Sequence, residues 1–168
     1  MFVTRIRVIV FALMSAIWCS GCSVAVLINT GNEQDRFAKT FSPPGDKALI
    51  YVYSAEPNPK NIIHVLVDGR ISGTVNASYY SISNVIPGPH RVGLGHEESN
   101  SILVDVEPGK SYFVDARMLC EGGAAHAQLR LVDESIGKRR VLASQLGNIT
   151  LFGVALLNDD RKTYDCSL

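Results

Sequence analysis

The feature that most constrains this chain is the rhythm of its middle. Between Ala48 and Leu131, short runs rich in Val, Ile, Tyr and Phe recur at roughly ten-residue spacing, and Gly, Pro, Asp or Asn breaks each one. Runs of this length, alternating apolar and polar, are strands rather than helices. Ile62 to Val67 and Arg70 to Val75 flank Asp68-Gly69, a two-residue type I′ hairpin signal. That register sets Ile63, Val65 and Val67 on one face, with Ile71, Gly73 and Val75 facing with them. Ala48 to Tyr53 is continuously β-branched and aromatic, as befits a strand covered on both faces, and the Glu56 to Pro59 cluster stops it. Ser78 to Val85 runs into Pro87-Gly88-Pro89, a rigid turn that delivers His90 to Gly95. Ile102, Val104 and Val106 point one way, Pro108-Gly109 turns the chain, and Tyr112, Val114, Ala116 and Met118 repeat the inward set, which predicts a second hairpin. Cys120 to Gly123 reads as a loop, and Ala125, Ala127, Leu129 and Leu131 give one more strand. The expected fold is all-β, an antiparallel β-sandwich of about seven or eight strands with a short C-terminal helix, capped by Asp133 and running through Ala143.

Ahead of these strands stands a different kind of segment. Arg5 and Arg7 precede an uncharged, mostly apolar run from Val8 to Trp18, and the small residues Ser20 and Gly21 precede Cys22. This is the layout of a secretory signal peptide, with a run about half as long as a bilayer span requires. The small-small-Cys ending resembles the lipobox of bacterial lipoproteins, which implies that residues 1–21 are removed and that Cys22 carries the lipid. The alternatives are a plain cleaved signal or an uncleaved anchor. Residues 22–45 read as the lipidated N-terminus and a flexible tether, residues 46–143 as the sandwich domain, and residues 144–168 as a tail packed on or tethered to it. Within that tail, Ile149 to Leu157 fits a strand or a packed apolar segment equally.

An oxidising envelope changes how the cysteines are read. With Cys19 lost and Cys22 acylated, Cys120 and Cys166 remain and are candidates for a disulfide, the alternative being two separate thiols. A bridge would close a loop of about 45 residues and add roughly 3 to 4 kcal/mol by chain entropy.

The succession Ala-Leu-Ile-Tyr-Val-Tyr (48–53), His-Val-Leu-Val-Asp-Gly (64–69), Ser-Tyr-Tyr (78–80), Pro-Gly-Pro-His (87–90) and Pro-Gly-Lys-Ser-Tyr-Phe-Val (108–114) resembles the bacterial lipoprotein family called domain of unknown function 2846. Its central part is also similar to PEGA-type modules, small β-sandwiches of envelope proteins. The resemblance covers about residues 46–143. It implies the fold and the address, and it brings no catalytic residues.

Motifs for chemistry are sparse. The chain has no G-x-S-x-G elbow, H-E-x-x-H helix, P-loop or dinucleotide fingerprint. His64, His90, His96 and His126 fall on different expected strands or strand ends, and no metal site or cofactor is expected. His96-Glu97-Glu98 is the best local acid and imidazole cluster, within an expected hairpin loop. With 16 Lys and Arg against 16 Asp and Glu, no long-range field invites nucleic acid, and Lys138-Arg139-Arg140 is the only basic run. Strict alternation cannot turn Tyr79, Tyr80 and Phe113 into one core, so they form a candidate binding patch, the alternative being inter-layer packing. The expected function is a non-enzymatic envelope lipoprotein held at the outer membrane's inner leaflet by acylated Cys22. Its partner would be an envelope protein or a cell-wall polymer. The alternative is a small hydrolase or inhibitor-like protein using the His96, Glu97 and Glu98 loop.

Overall fold

In a computed structural model of the chain, residues 30–55, 62–95, 101–121 and 124–147 are described. Nine strands form two sheets among them. They are β1 (Ala48–Ser54), β2 (Ile63–Val67), β3 (Arg70–Val75), β4 (Tyr79–Val85), β5 (Gly88–Leu94), β6 (Ser101–Val106), β7 (Ser111–Glu121), β8 (Ala124–Val132) and β9 (Gln145–Leu146). Two helices accompany them, α1 (Thr30–Ala38) and α2 (Glu134–Leu142). The first sheet has the order β8-β7-β1-β4-β9 and the second β3-β2-β5-β6. The all-β sandwich therefore holds, with a mixed first sheet: β7 runs parallel to β1, and β9 parallel to β4.

Two cores explain why β1 is apolar on both faces. Its even-numbered side chains, Ala48, Ile50 and Val52, join Val65, Val92, Val104 and Val114 between the sheets. Leu49, Tyr51 and Tyr53 point the other way, into a second core with Ala38, Tyr80, Phe113 and Val141. The helices cover that outer face. Each fully buried side chain of this kind contributes about 1.5 to 3 kcal/mol, so β1 is the strand on which both layers depend.

The Asp68-Gly69 turn forms as expected: both residues take left-handed backbone angles, φ 51° and 75°, which Asp and Gly tolerate best. One detail differs. Val65 pairs with Gly73 but Leu66 pairs with Ile71, so Ser72 is an extra residue in β3. This bulge carries Ile71 off the core face, where it is exposed, and aims the Ser72 hydroxyl at the Ser81 and Ser83 hydroxyls of β4.

The second expected hairpin is not one. β6 pairs with β5, whereas β7 pairs with β1 and β8, so Pro108-Gly109 carries the chain from one sheet to the other. Both strands still send their predicted sets inward, with Val104, Val106, Val114 and Ala116 sharing one core. The physical reason lies at the turn: the Gly109 N–H donates to Lys47 O at 2.8 Å and the Leu49 N–H to Lys110 O at 3.0 Å. These bonds tie the turn to β1 instead of closing it on β6.

Cys120 also departs from expectation, since it pairs with Ala125 inside the β7–β8 ladder and not in a loop. The segment expected as a tether is helical over Thr30–Ala38. Ala38 is buried, and its carbonyl accepts the Tyr51 hydroxyl at 2.6 Å. Beyond α1 the chain folds Phe41 back, at φ 56°, against Tyr51 and Phe113 with ring centroids 5.4 and 5.8 Å away. The C-terminal helix starts after Asp133, as expected, but the Asp133 side chain makes no capping hydrogen bond.

Candidate functional site

Cys22, Cys166 and the His96-Glu97-Glu98 loop lie outside the described residues, as does Ile149 to Leu157. The Cys120–Cys166 pairing therefore lies outside the described residues at its Cys166 end, and the backbone of Cys120 is in β7. Tyr79, Tyr80 and Phe113 do not make a surface together. Tyr80 and Phe113 are fully buried in the core beneath the helices, and Tyr79 alone is exposed, on the opposite face of β4. Inter-layer packing, the other reading, accounts for the two buried rings: Phe113 stacks on Tyr51 at 5.0 Å and 12°.

Three polar constellations stand out instead, none of which the sequence motifs marked. The first holds the first hairpin. His90 Nδ1–H donates to Asp68 Oδ2 at 2.6 Å and its Nε2–H to Ile86 O at 2.7 Å. Asp68 Oδ1 accepts the Arg91 N–H at 2.9 Å. Burial acts to lower the His90 pKa, but two acceptors on its two ring nitrogens outweigh it and raise the value. Burial likewise acts to raise Asp68, and the His90 and Arg91 bonds pull it below the ordinary carboxylate value. In its protonated form the ring engages both N–H groups and clamps the turn.

The second constellation latches the helix layer. Asp35, on α1, accepts the Tyr80 hydroxyl at 2.9 Å and the Leu146 N–H at 2.8 Å through Oδ1, and Lys39 Nζ at 2.7 Å through Oδ2. Lys39 also donates to Ser144 O at 2.7 Å. Burial pushes Asp35 up, the three bonds push it down, and the net is a depressed pKa. For Tyr80 burial and Asp35 act together, so its hydroxyl stays protonated well above the usual tyrosine range.

The third is the candidate site. Tyr53 of β1, Asp115 of β7 and Arg130 of β8 lie side by side in register on the outer face of the first sheet. Asp115 is 3% exposed, an unusual place for a carboxylate. Its Oδ2 accepts Arg117 Nε at 2.9 Å, Arg117 Nη2 at 2.7 Å and Arg130 Nη2 at 3.4 Å. Its Oδ1 is buried and has no hydrogen-bond partner. Tyr53 has a raised pKa, first because it is buried and then because Asp115 is near, with Arg140, Arg130 and Arg117 opposing. Arg140 of α2 thus acts electrostatically on Tyr53, while Arg117 and Arg130 pair with the Asp115 carboxylate. Asp115 and Arg117, two residues apart and so on one face of a predicted strand, were the available signal. Among the described residues, no three His, Cys, Asp or Glu side chains converge to hold a metal ion.

The fold and this site define a class, a two-sheet β-sandwich with a helix layer over one face and a buried carboxylate paired with two arginines. No protein-family model, curated protein or solved structure matches the chain.

Proposed function

We propose that this chain is a bacterial envelope lipoprotein, anchored through an acylated Cys22 and serving as a non-enzymatic binding or accessory module. The observation that carries the reading is the leader itself: Arg5 and Arg7, the apolar run to Trp18, and Ser20-Gly21 directly before Cys22. The compact sandwich that begins soon afterwards is the kind of cargo such an anchor displays. The motifs of residues 48–114 that resemble domain of unknown function 2846 support the same class.

Seven residues separate Cys22 from Thr30, where α1 begins. That stretch reaches at most about 28 Å even when fully extended, so an anchored domain works close to a bilayer surface. The partner is an envelope protein or a cell-wall polymer, met by the domain and not by the anchor.

Fractionation of cells producing the wild type and Cys22→Ser tests the reading. The wild type is expected in the membrane fraction and the variant in the soluble envelope fraction. Retention of Cys22→Ser with membranes, or a soluble wild type, would overturn it.

A further inference from the structure

We infer that the outward face of the helix layer is a docking surface for an anionic phospholipid bilayer, with Phe37, Ile136 and Leu142 entering the headgroup boundary and Arg36 and Arg139 meeting lipid phosphates. The inference rests on the anchor at Cys22 and goes beyond it, from a lipid that holds the chain to a domain face that lies on the membrane.

The first observation is where the two helices place their apolar side chains. α2 buries Gly137 and Val141 against the first sheet. On its opposite side Ile136, Arg139 and Leu142 follow at intervals of three, and Ile136 and Leu142 are 40% and 56% exposed. α1 buries Ala38 and turns Asp35 inward to Tyr80, which leaves Arg36 exposed and Phe37 61% exposed on its other side. Both faces belong to one layer, because Lys39 Nζ donates to Ser144 O at 2.7 Å and the Leu146 N–H donates to Asp35. The end of α1 is thereby bonded to the chain just beyond α2. Short helices that expose large apolar residues beside arginines suit a segment lying in the plane of a membrane surface.

The second observation is charge. Arg36 stands in the last turn of α1, and Arg139 and Arg140 in the last turn of α2. Among the described residues none of these three pairs with a carboxylate, whereas Asp35 is paired with Lys39 and Glu134 with Lys138. The other acids, Glu33 and Asp133, stand at the opposite ends of the two helices. The joined C-terminal ends therefore carry the positive charge together with Phe37 and Leu142, and anionic headgroups complement both.

The third is reach. The stretch after Cys22 enters the domain through α1 itself, so the face that bears α1 lies within about 28 Å of the bilayer. The outer face of the second sheet lies beyond both sheets, which pack about 10 Å apart. Its exposed Leu103 has Asp105 on the same face as well as Arg91 opposite, so it offers an anionic surface no such excess.

The test uses the full chain reconstituted in vesicles of phosphatidylcholine and phosphatidylglycerol in equal parts. Tryptophan is placed on the two faces, as Phe37→Trp and Leu103→Trp, and quenched by phosphatidylcholine brominated on its acyl chains. Wild type, whose one tryptophan is Trp18, is the blank. Both positions are exposed, so neither substitution disturbs the core. Phe37→Trp is expected to lose about half its emission or more, because an interfacial helix sets its apolar face about 5 to 10 Å deep, and Leu103→Trp no more than the blank. Arg139→Glu combined with Phe37→Trp should lower the ratio of docked to undocked protein about fivefold or more, and vesicles of phosphatidylcholine alone should lower it likewise.

Wild type that fails to float with the vesicles would overturn the anchor and this proposal with it. In a chain that floats, equal quenching at the two positions would overturn the docking surface and leave the anchor standing. So would Phe37→Trp quenching that neither Arg139→Glu nor neutral lipid weakens. A Phe37→Trp emission that shifts with protein density and not with bromine would assign the face to a second copy, which also overturns the proposal.

Discussion

Gly137 offers a sharp test of the helix layer, because two physical effects there have opposite signs. It lies in the middle of α2, where replacing Gly by Ala normally stabilises a helix by about 0.8 to 1 kcal/mol. In this fold an added Cβ would stand 2.1 Å from Phe113 Cγ and 2.3 Å from Phe113 Cβ. Ordinary carbon contacts need about 3.5 to 4 Å, so helix and ring would have to part by about 1.5 Å. Phe113 cannot retreat easily: it is 1% exposed, stacked on Tyr51 and flanked by Phe41. The helix must lift instead, and buried Val141 one turn on loses contacts with it. Overpacking of this kind costs about 1 to 3 kcal/mol, and a clash against an immobile ring belongs at or above the top of that range. After subtracting the helix gain, Gly137→Ala should destabilise by about 2 kcal/mol, or about 8 °C in Tm for a domain of this size. Urea unfolding of wild type, Gly137→Ala, Phe113→Ala and the double variant measures it. Phe113→Ala alone should cost about 3 to 5 kcal/mol, and the double variant should cost at least about 1 kcal/mol less than the two singles together, because the added methyl then has room. A Gly137→Ala protein as stable as wild type, or additive behaviour in the cycle, would refute the packing of α2 on Phe113.

Other expectations concern the polar latches. His90 has a folded pKa above its unfolded value of 6.5, so its contribution is complete below 6.5 and is lost as pH rises through the raised value. Asp68 has a folded pKa below 3.8, so its share is present above 3.8 and is lost as pH falls through the depressed value. The clamp is therefore strongest between about pH 4 and 6.5. Since Asp68 is half exposed, its worth is at most about 1 kcal/mol. Urea midpoints at pH 5.5 and 8.5 should differ less in Asp68→Asn than in wild type, because Asn keeps the left-handed turn but removes the charge; an unchanged difference would assign the pH dependence elsewhere. Asp35→Asn should cost about 1 to 3 kcal/mol, since an amide supplies one acceptor oxygen for three donors. Hydrogen exchange should then quicken at Leu146 and in α1 before it quickens in β1, and a uniform rise across the domain would contradict the latch.

How much of this was legible in the chain depends on where the controlling interaction lies. The first hairpin was readable because Asp68 and Gly69 themselves accept the backbone angles the turn demands. Pro108-Gly109 marks a turn equally well, but whether the turn closes a hairpin or crosses between sheets depends on Lys47, some sixty residues earlier. The Ser72 bulge depends likewise on Ser81 and Ser83 across the sandwich. Residues 30–38 carry Gly31 and Asn32 and only two adjacent apolar residues near the end, Phe37 and Ala38, so no helical stripe showed. What holds that helix is Asp35 reaching Tyr80 and Leu146, partners far along the chain. Tyr80 and Phe113 looked like surface aromatics because alternation assigns them to the second face of the sheet; the helix layer that covers that face could be anticipated only in its C-terminal half. Asp115 and Arg130 become a pair only once β7 and β8 are in register.

The central claim is that Cys22 is the first residue of the mature protein and carries its anchor. The direct measurement is the intact mass of the protein extracted from membranes, with fragmentation of its N-terminal peptide. The account predicts a chain beginning at Cys22, heavier than residues 22–168 by a diacylglyceryl group on the thiol, with or without a further acyl chain on the new amino terminus. A chain that retains residues 1–21, or one that begins elsewhere with an unmodified Cys22, would contradict it.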